Sequence, residues 1–269
     1  MTLPLFQHQN LPLTVNGVAL DIAAIHRQGT RAPVLFLHGF GSSKEDYADW
    51  VLRPEFADCP FIAYDAPGCG GSGCADLGAL SIPFLQQTAL AVLDYFQVGR
   101  FHLVGHSMGG LTALLLAAHC GERVLSFTNI EGNIAPEDCF LSRQIVDFAD
   151  DDPQVFFDRF IERTRQSPAF SSALYAASLK HKVRVEAVKP IFTSMVDLSD
   201  HGGLMDLFLG LSCPKMLMYG EQNAHLSYLG YIESHGVRLS EVPHCGHFPM
   251  YANPDFMWRE IAAFHRQAV

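Results

Sequence analysis

Basic residues are scarce in this sequence. It contains 18 Lys and Arg against 28 Asp and Glu, which gives a formal net charge of −10. Proteins that bind nucleic acid or anionic membranes through phosphate groups need clustered Lys and Arg. The acidic balance therefore argues against nucleic acid and against anionic membrane surfaces as partners.

Long apolar runs are also missing. No stretch approaches the ~20 consecutive apolar residues that a membrane-spanning helix needs, so we expect no membrane span. The N-terminal segment MTLPLFQHQNLPL has neither a basic region nor a long apolar region, and we expect no targeting signal in it. The seven cysteines are an odd and scattered set that does not resemble a disulfide framework. We therefore expect reduced thiols, no metal site and a cytoplasmic location.

Apolar residues are plentiful but come in short runs. The chain has 269 residues, of which 49% are hydrophobic, enough to bury a large core in one domain. Six short runs are nearly continuously apolar: VLFLH (34–38), FIAYD (61–65), FHLVG (101–105), VLSFTNIE (124–131), KMLMYG (215–220) and VRLSEV (237–242). Such runs are typical of parallel strands that are buried on both faces. Helical patterns lie between them, one capped by Ser81 and the last by Asn253. With a hairpin that turns at Asn16-Gly17, this alternation predicts an α/β fold.

Residues 133–211 break the alternation. This interval has helical patterns, no convincing strand and many phenylalanines, namely Phe140, Phe148, Phe156, Phe157, Phe160, Phe170, Phe192 and Phe208. We expect a helical lid inserted into an α/β core that comprises residues 1–132 and 212–269. Each phenylalanine alone is typical of helix packing, but together we expect some of them to line a pocket.

The segment GHSMGG places Ser107 between a predicted strand and a predicted helix, in G-x-S-x-G spacing. A nucleophile in such a sharp turn needs small neighbours on both sides, because the chain passes close to itself there. A serine at this place is also typical of a helix N-cap, and that role is compatible with catalysis.

Two further segments lie where acyl-transfer chemistry would need them. HGFGSS (38–43) follows the VLFL strand, and the N–H groups of Phe40 and of Met108 are predicted to form an oxyanion hole. PHCGHFPMYANP follows the last predicted strand and supplies His247 in a glycine-flanked loop, from which a base can reach Ser107.

Together, HGFG, DAPGCGGSG (65–73), GHSMGG and CGHFP resemble the α/β-hydrolase superfamily over nearly the whole chain. The resemblance implies a mostly parallel eight-stranded sheet with helices on both faces, a Ser–acid–His triad in that chain order, and no cofactor. It also favours His247 over His244 as the base. His38 and His106 match positions that pack near the site, and Asp65 matches a loop that is usually structural.

The acid departs from the family pattern. The usual Asp position after KMLMYG holds Asn223, an amide that cannot stabilise an imidazolium as a carboxylate does. Some branches of the family instead take the acid from the end of the preceding core strand, where TNIEGN places Glu131. We therefore favour Glu131, and Glu221 and the lid acids Asp197 and Asp200 stay open as alternatives.

The predicted activity is cleavage of a carboxylic ester of a mainly apolar small molecule through an acyl-enzyme on Ser107. Thioesterase, lactonase and carbon–carbon bond hydrolase activities can use the same triad and stay open. A non-catalytic ligand receptor of the same fold is an alternative of another class. Because the lid is aromatic, we expect acyl groups of moderate length or aromatic esters to react faster than acetate.

Overall fold

One sheet of nine strands forms the centre of the computed structural model, which describes residues 5–144 and 152–267. The strands are β1 (Gln7–Val15), β2 (Val18–Arg27), β3 (Val34–Leu37), β4 (Phe61–Tyr64), β5 (Gly73–Cys74), β6 (Phe101–His106), β7 (Val124–Ile130), β8 (Lys215–Gly220) and β9 (Arg238–Val242). Their order is β1-β2-β4-β3-β6-β7-β8-β9, and β5 pairs with β2. The pairs made by β2 are antiparallel, and all others are parallel.

The predicted fold class is confirmed, because all eight predicted strands form and the sheet from β4 to β9 is parallel. β5 was not predicted, since two residues are too short for any strand pattern. The predicted hairpin turns at Asn16 and Gly17, whose φ angles of 49° and 82° are both left-handed, as a two-residue type I′ turn requires.

Helices cover both the core and the interval between β7 and β8. They are α1 (Ile82–Tyr95), α2 (Met108–Cys120), α3 (Pro153–Gln166), α4 (Ser172–Lys182), α5 (Val188–His201), α6 (Leu204–Leu209), α7 (Leu229–Ser234), α8 (Pro249–Ala252) and α9 (Pro254–Gln267). Ser81 caps α1 as predicted, with its Oγ accepting a hydrogen bond from the Phe84 N–H at 3.2 Å. Within the described ranges, none of the helices has the length and apolar character to cross a membrane.

The described part of the interval between β7 and β8 consists of α3 to α6 and short 3₁₀ segments, with no strand. The lid boundaries at 133 and 211 stay a prediction. Among the lid phenylalanines, Phe148 lies outside the described residues, Phe140 and Phe170 are exposed, and the others are buried, namely Phe156, Phe157, Phe160, Phe192 and Phe208.

The C-terminal end of α4 is bonded to the loop after β4. The Lys182 carbonyl accepts a hydrogen bond from the Gly70 N–H at 2.8 Å, and the Arg184 N–H donates to the Gly68 carbonyl at 3.0 Å. The Arg184 guanidinium also donates to the Ser72 carbonyl at 2.8 Å. These bonds hold α4 against the edge of the sheet where β3, β6 and β7 end.

Candidate active site

Ser107 lies at the turn from β6 into α2 with φ 51° and ψ −118°, a conformation that non-glycine residues rarely adopt. Its N–H donates to the Ile130 carbonyl at 2.9 Å. A Cβ added to Gly105 would lie 2.4 Å from the Gly109 carbonyl oxygen, and one added to Gly109 would lie 2.2 Å from the Leu37 carbonyl oxygen. The glycines of G-x-S-x-G are therefore required by close backbone contacts. Within the described chain, the Ser107 hydroxyl does not cap α2.

The loop after β3 passes beside this serine. A Cβ added to Gly39 would lie 3.2 Å from the Ser107 Cβ. Phe40 follows that glycine and Met108 follows the serine, and neither backbone N–H donates to an acceptor among the described residues. Two unengaged N–H donors thus flank the serine, and such donors can stabilise a developing oxyanion.

Tyr175 of α4 fixes the loop that carries Phe40. Its hydroxyl donates to the Phe40 carbonyl at 2.6 Å, and its ring stacks on Phe248 with centroids 4.4 Å apart. Gly41 is also covered by α4, because a Cβ added there would lie 2.2 Å from the Leu179 Cδ2. Sequence reasoning missed Tyr175, since no local pattern shows which face of a lid helix meets a loop far away in the chain.

Glu131 follows β7 directly and, like the serine, has a left-handed φ of 51°. Its Oε1 accepts hydrogen bonds from the Gly220 N–H at 2.7 Å and from the Asn223 amide at 3.0 Å. Its Oε2 accepts from the same amide at 2.9 Å and lies 3.5 Å from the His247 Nδ1. The two side chains of this pair are 5% and 12% exposed, so a carboxylate and an imidazole face each other with little water between them. Asn223 was missed as a partner, although an amide at the usual Asp position was a signal.

The alternative acids contact other groups. The Glu221 Oε2 accepts a hydrogen bond from the His244 N–H at 2.7 Å, and this side chain is 38% exposed. Asp200 pairs with the Arg143 guanidinium at 2.7 Å. Asp197 is 76% exposed at the surface of α5. Among the described contacts, none of these three carboxylates reaches the imidazole that faces Glu131.

The other histidines near the site hold loops. The His106 Nε2–H donates to the His247 carbonyl at 2.8 Å, and burial lowers the pKa of His106 well below its ordinary value, so its ring is neutral. His38 bonds the carbonyl of the next residue at 2.7 Å and accepts from an N–H of the loop after β4 at 2.8 Å. Asp65 is buried and pairs with the Lys44 ammonium at 2.8 Å. These three side chains bond backbone groups or a buried lysine, which fits the structural positions that the resemblance implied for them.

Two cavities have His247 in their lining. The cavity that we call the inner cavity has a volume of about 30 Å³ and is lined by Ser107, Phe40, Phe160, Tyr175, Phe192 and Met195. The outer cavity has a volume of about 650 Å³ and is lined by Leu141, Gln144, Arg163, Thr164, Gln222 and Asn223. Four residues, His247, Phe140, Leu141 and Phe248, line both cavities.

Two curated relatives each match less than half of this chain. Over 122 residues, 45% of the chain, it is 33% identical to 3-oxoadipate enol-lactonase 2 of Acinetobacter baylyi, of which the match covers 44%. Over 108 residues, 40% of the chain, it is 34% identical to an esterase of Mycobacterium tuberculosis, of which the match covers 35%. The matched segments therefore span less than half the length of these relatives.

Solved structures match almost the full chain at low sequence identity. A mutant of N-acyl homoserine lactonase AidH complexed with N-hexanoyl homoserine superimposes with a TM-score of 0.76 at 17% identity, covering 98% of both chains. A thermophilic esterase from Thermogutta terrifontis gives a TM-score of 0.74 at 21% identity, covering 97% of this chain and 99% of its own. These likenesses show a shared fold.

The family itself is identified by a model that covers most of the chain. The model of the alpha/beta hydrolase family matches residues 34–260. This range contains the turn around Ser107, the strand that precedes Glu131 and the loop of His247. The sequence motifs, the parallel sheet and the family model agree, and the chain belongs to the α/β-hydrolase family.

Proposed function

We propose that this chain is a serine hydrolase that cleaves a carboxylic ester of a mainly apolar small molecule. Ser107 would be the nucleophile, His247 the base, Glu131 the acid, and the N–H groups of Phe40 and Met108 the oxyanion hole. The observation that carries the proposal is the meeting of Ser107 and His247 in one cavity, with Glu131 at 3.5 Å behind the imidazole.

The proposed reaction has two halves. His247 takes the proton of Ser107 while the serine oxygen attacks the acyl carbon, and the carbonyl electron pair moves to the oxygen beside the N–H groups of Phe40 and Met108. The bond to the leaving group then breaks as that group takes the proton from His247. Water, deprotonated by His247, next attacks the acyl carbon. The bond to the serine oxygen then breaks as that oxygen takes the proton from His247, which releases the carboxylic acid and restores Ser107.

The acid role of Glu131 is supported by its surroundings. An imidazolium at His247 would face a buried carboxylate, and Coulomb attraction between such charges is strong where water is excluded. The Gly220 N–H and the Asn223 amide hold the carboxylate in place with three hydrogen bonds, which fixes its orientation towards His247.

The bond type is supported by the relatives. Two of them are named as an esterase and an enol-lactonase, and both names describe cleavage of an ester-like bond. Lactone and thioester substrates remain candidates, because the same attack on an acyl carbon opens them. A cytoplasmic location stays a prediction, supported by seven cysteines that are all unpaired.

A substrate panel with an active-site label tests the proposal. Aryl esters, thioesters and lactones are assayed with and without a fluorophosphonate, and mass spectrometry locates the adduct. We expect ester turnover that the label abolishes, with the adduct on Ser107. Ser72 is the matched control, because its Oγ is buried and donates to the Asp65 carbonyl at 2.6 Å. An adduct on another serine, or tight ligand binding without any turnover, would contradict the proposal, and the second result would favour a receptor.

A further inference from the structure

The inner and outer cavities differ about twentyfold in volume, which limits how an ester can be bound. We propose that the inner cavity binds the acyl group and the outer cavity binds the leaving group. The preferred substrates are then short-chain acyl esters of bulky alcohols. This inference rests on the proposed serine hydrolase function and narrows its substrate class.

The chemistry of the reaction sets the orientation of the ester. The acyl carbon becomes bonded to Ser107 and its oxygen faces the Phe40 N–H, and both residues line only the inner cavity. The leaving oxygen must receive its proton from His247, which lines both cavities. With the acyl group filling the inner cavity, the outer cavity is the space beside His247 that can take the leaving group.

The inner cavity is small and its walls are packed. A volume of about 30 Å³ holds roughly two water-sized groups, which fits an acyl chain of a few carbons. The Phe192 ring lies 4.5 Å from the Phe40 ring and 5.8 Å from the Phe160 ring, and Met195 is 5% exposed. Widening this wall would separate rings in contact. The volume therefore argues against the expectation, drawn from lid composition, that acyl groups of moderate length react best.

The outer cavity has room for a much larger group. Its volume of about 650 Å³ lies in the range of pockets that hold drug-sized ligands. Phe140 and Phe248 supply apolar surface, and the Phe140 ring lies edge-on to the His247 ring at 5.7 Å. Gln144 and Gln222 supply amide groups at its lining. A leaving group with an apolar body and a few hydrogen-bonding groups fits this lining.

Two substrate series test the inference. The first keeps one fluorogenic phenol and lengthens the acyl group from acetyl to octanoyl. The second keeps acetate and enlarges the alcohol from ethanol through 2-phenylethanol to 2-naphthylethanol, whose acidities are similar. We expect kcat/KM to fall at least about tenfold along the first series, because acyl groups longer than a few carbons do not fit the inner cavity. Along the second series we expect kcat/KM to rise at least about tenfold, since each buried methylene is worth about fourfold. A rise with acyl length and no gain with alcohol size would overturn the inference.

Variants of residues that line the inner cavity test whether its volume sets the preferred acyl length. Phe192→Leu and Met195→Ala enlarge the inner cavity, and we expect both to move the optimum to longer acyl groups without changing the alcohol series. Phe156→Leu is the matched control, because this buried ring stacks behind Phe160 at 6.3 Å and lines neither cavity. An unchanged acyl profile in both folded wall variants would overturn the inference. Complete inactivity towards esters, with Ser107 unlabelled, would instead refute the proposed function itself.

Discussion

A Glu131→Gln variant keeps the size of the side chain and removes the charge beside His247. The affected atoms, Glu131 Oε2 and His247 Nδ1, are 3.5 Å apart and largely buried. At an effective dielectric constant of about 20, an ion pair at this separation of 3.5 Å is worth about 5 kcal/mol. Losing that support when the imidazolium forms would slow the reaction by about 10³ to 10⁴. Replacing the triad Asp of a serine protease by Asn lowers kcat by about 10⁴.

The variant also reverses the preferred tautomer of His247. A glutamine amide at position 131 can donate to Nδ1, which leaves the proton on Nε2 and removes the base that Ser107 needs. The Gly220 N–H, now bonded to Glu131 Oε1 at 2.7 Å, retains an acceptor in the glutamine carbonyl. We therefore expect the variant to fold normally while it reacts slowly.

The assay compares Glu131→Gln with Glu221→Gln. For both variants kcat is measured on an aryl ester, the labelling rate is measured with a fluorophosphonate, and circular dichroism verifies the fold. Glu221→Gln should retain activity within a few-fold, because that partly exposed carboxylate accepts a hydrogen bond from the His244 N–H and lies 3.9 Å from the His244 ring. Near-normal kcat in folded Glu131→Gln, together with loss of activity in Glu221→Gln, would refute this reasoning and identify Glu221 as the acid.

Three further changes have expected outcomes. Ser107→Ala should lower kcat by at least about 10³ and abolish fluorophosphonate labelling, and residual labelling at another site would contradict it. Tyr175→Phe removes the hydroxyl bond to Phe40 and should lower kcat about tenfold with little change in KM. Tyr251→Phe is the control and should change neither, because the Tyr251 hydroxyl donates to the Asp46 carboxylate at 3.0 Å. Burial lowers the pKa of His265 from 6.5 to about 3, so the unfolded chain binds a proton in this range that the folded chain does not. Unfolding free energies from urea titrations should fall as pH drops below about 6.5. His265→Gln should reduce that loss without removing it, because burial also lowers the pKa of His102 to about 4.

The fold was largely predictable because its signals are local. Continuous apolar runs such as 34–38 and 215–220 can bury all their side chains only when both faces of the strand are covered. In the structure both runs form strands of the parallel part of the sheet with a neighbour on each side. The turn at Asn16-Gly17 likewise needs residues that tolerate positive φ. β5 escaped prediction because its two residues pair only through the tertiary fold.

The surroundings of the site were less predictable because they depend on contacts between distant segments. Ser107 and His247 come from local motifs, whereas the Tyr175 hydroxyl reaches the Phe40 carbonyl across 135 residues of sequence. The cavity volumes depend on how lid helices pack, which composition does not report. An aromatic lid therefore predicted an apolar pocket but not its small size.

A carboxylate at position 223 would lie in the same buried cluster as the carboxylate of Glu131. The Asn223 amide donates to both oxygens of Glu131, at 3.0 and 2.9 Å, so a carboxylate at either residue would enter one buried cluster. Asn223→Asp alone would put two carboxylates in contact, which raises the pKa of one of them and should reduce activity at neutral pH. Combined with Glu131→Gln, the same change leaves a single carboxylate, and we expect the double variant to recover at least about tenfold of the lost kcat. A folded double variant no more active than Glu131→Gln would mean that the acid must reach the imidazole from β7, and that charge in the cluster is not sufficient.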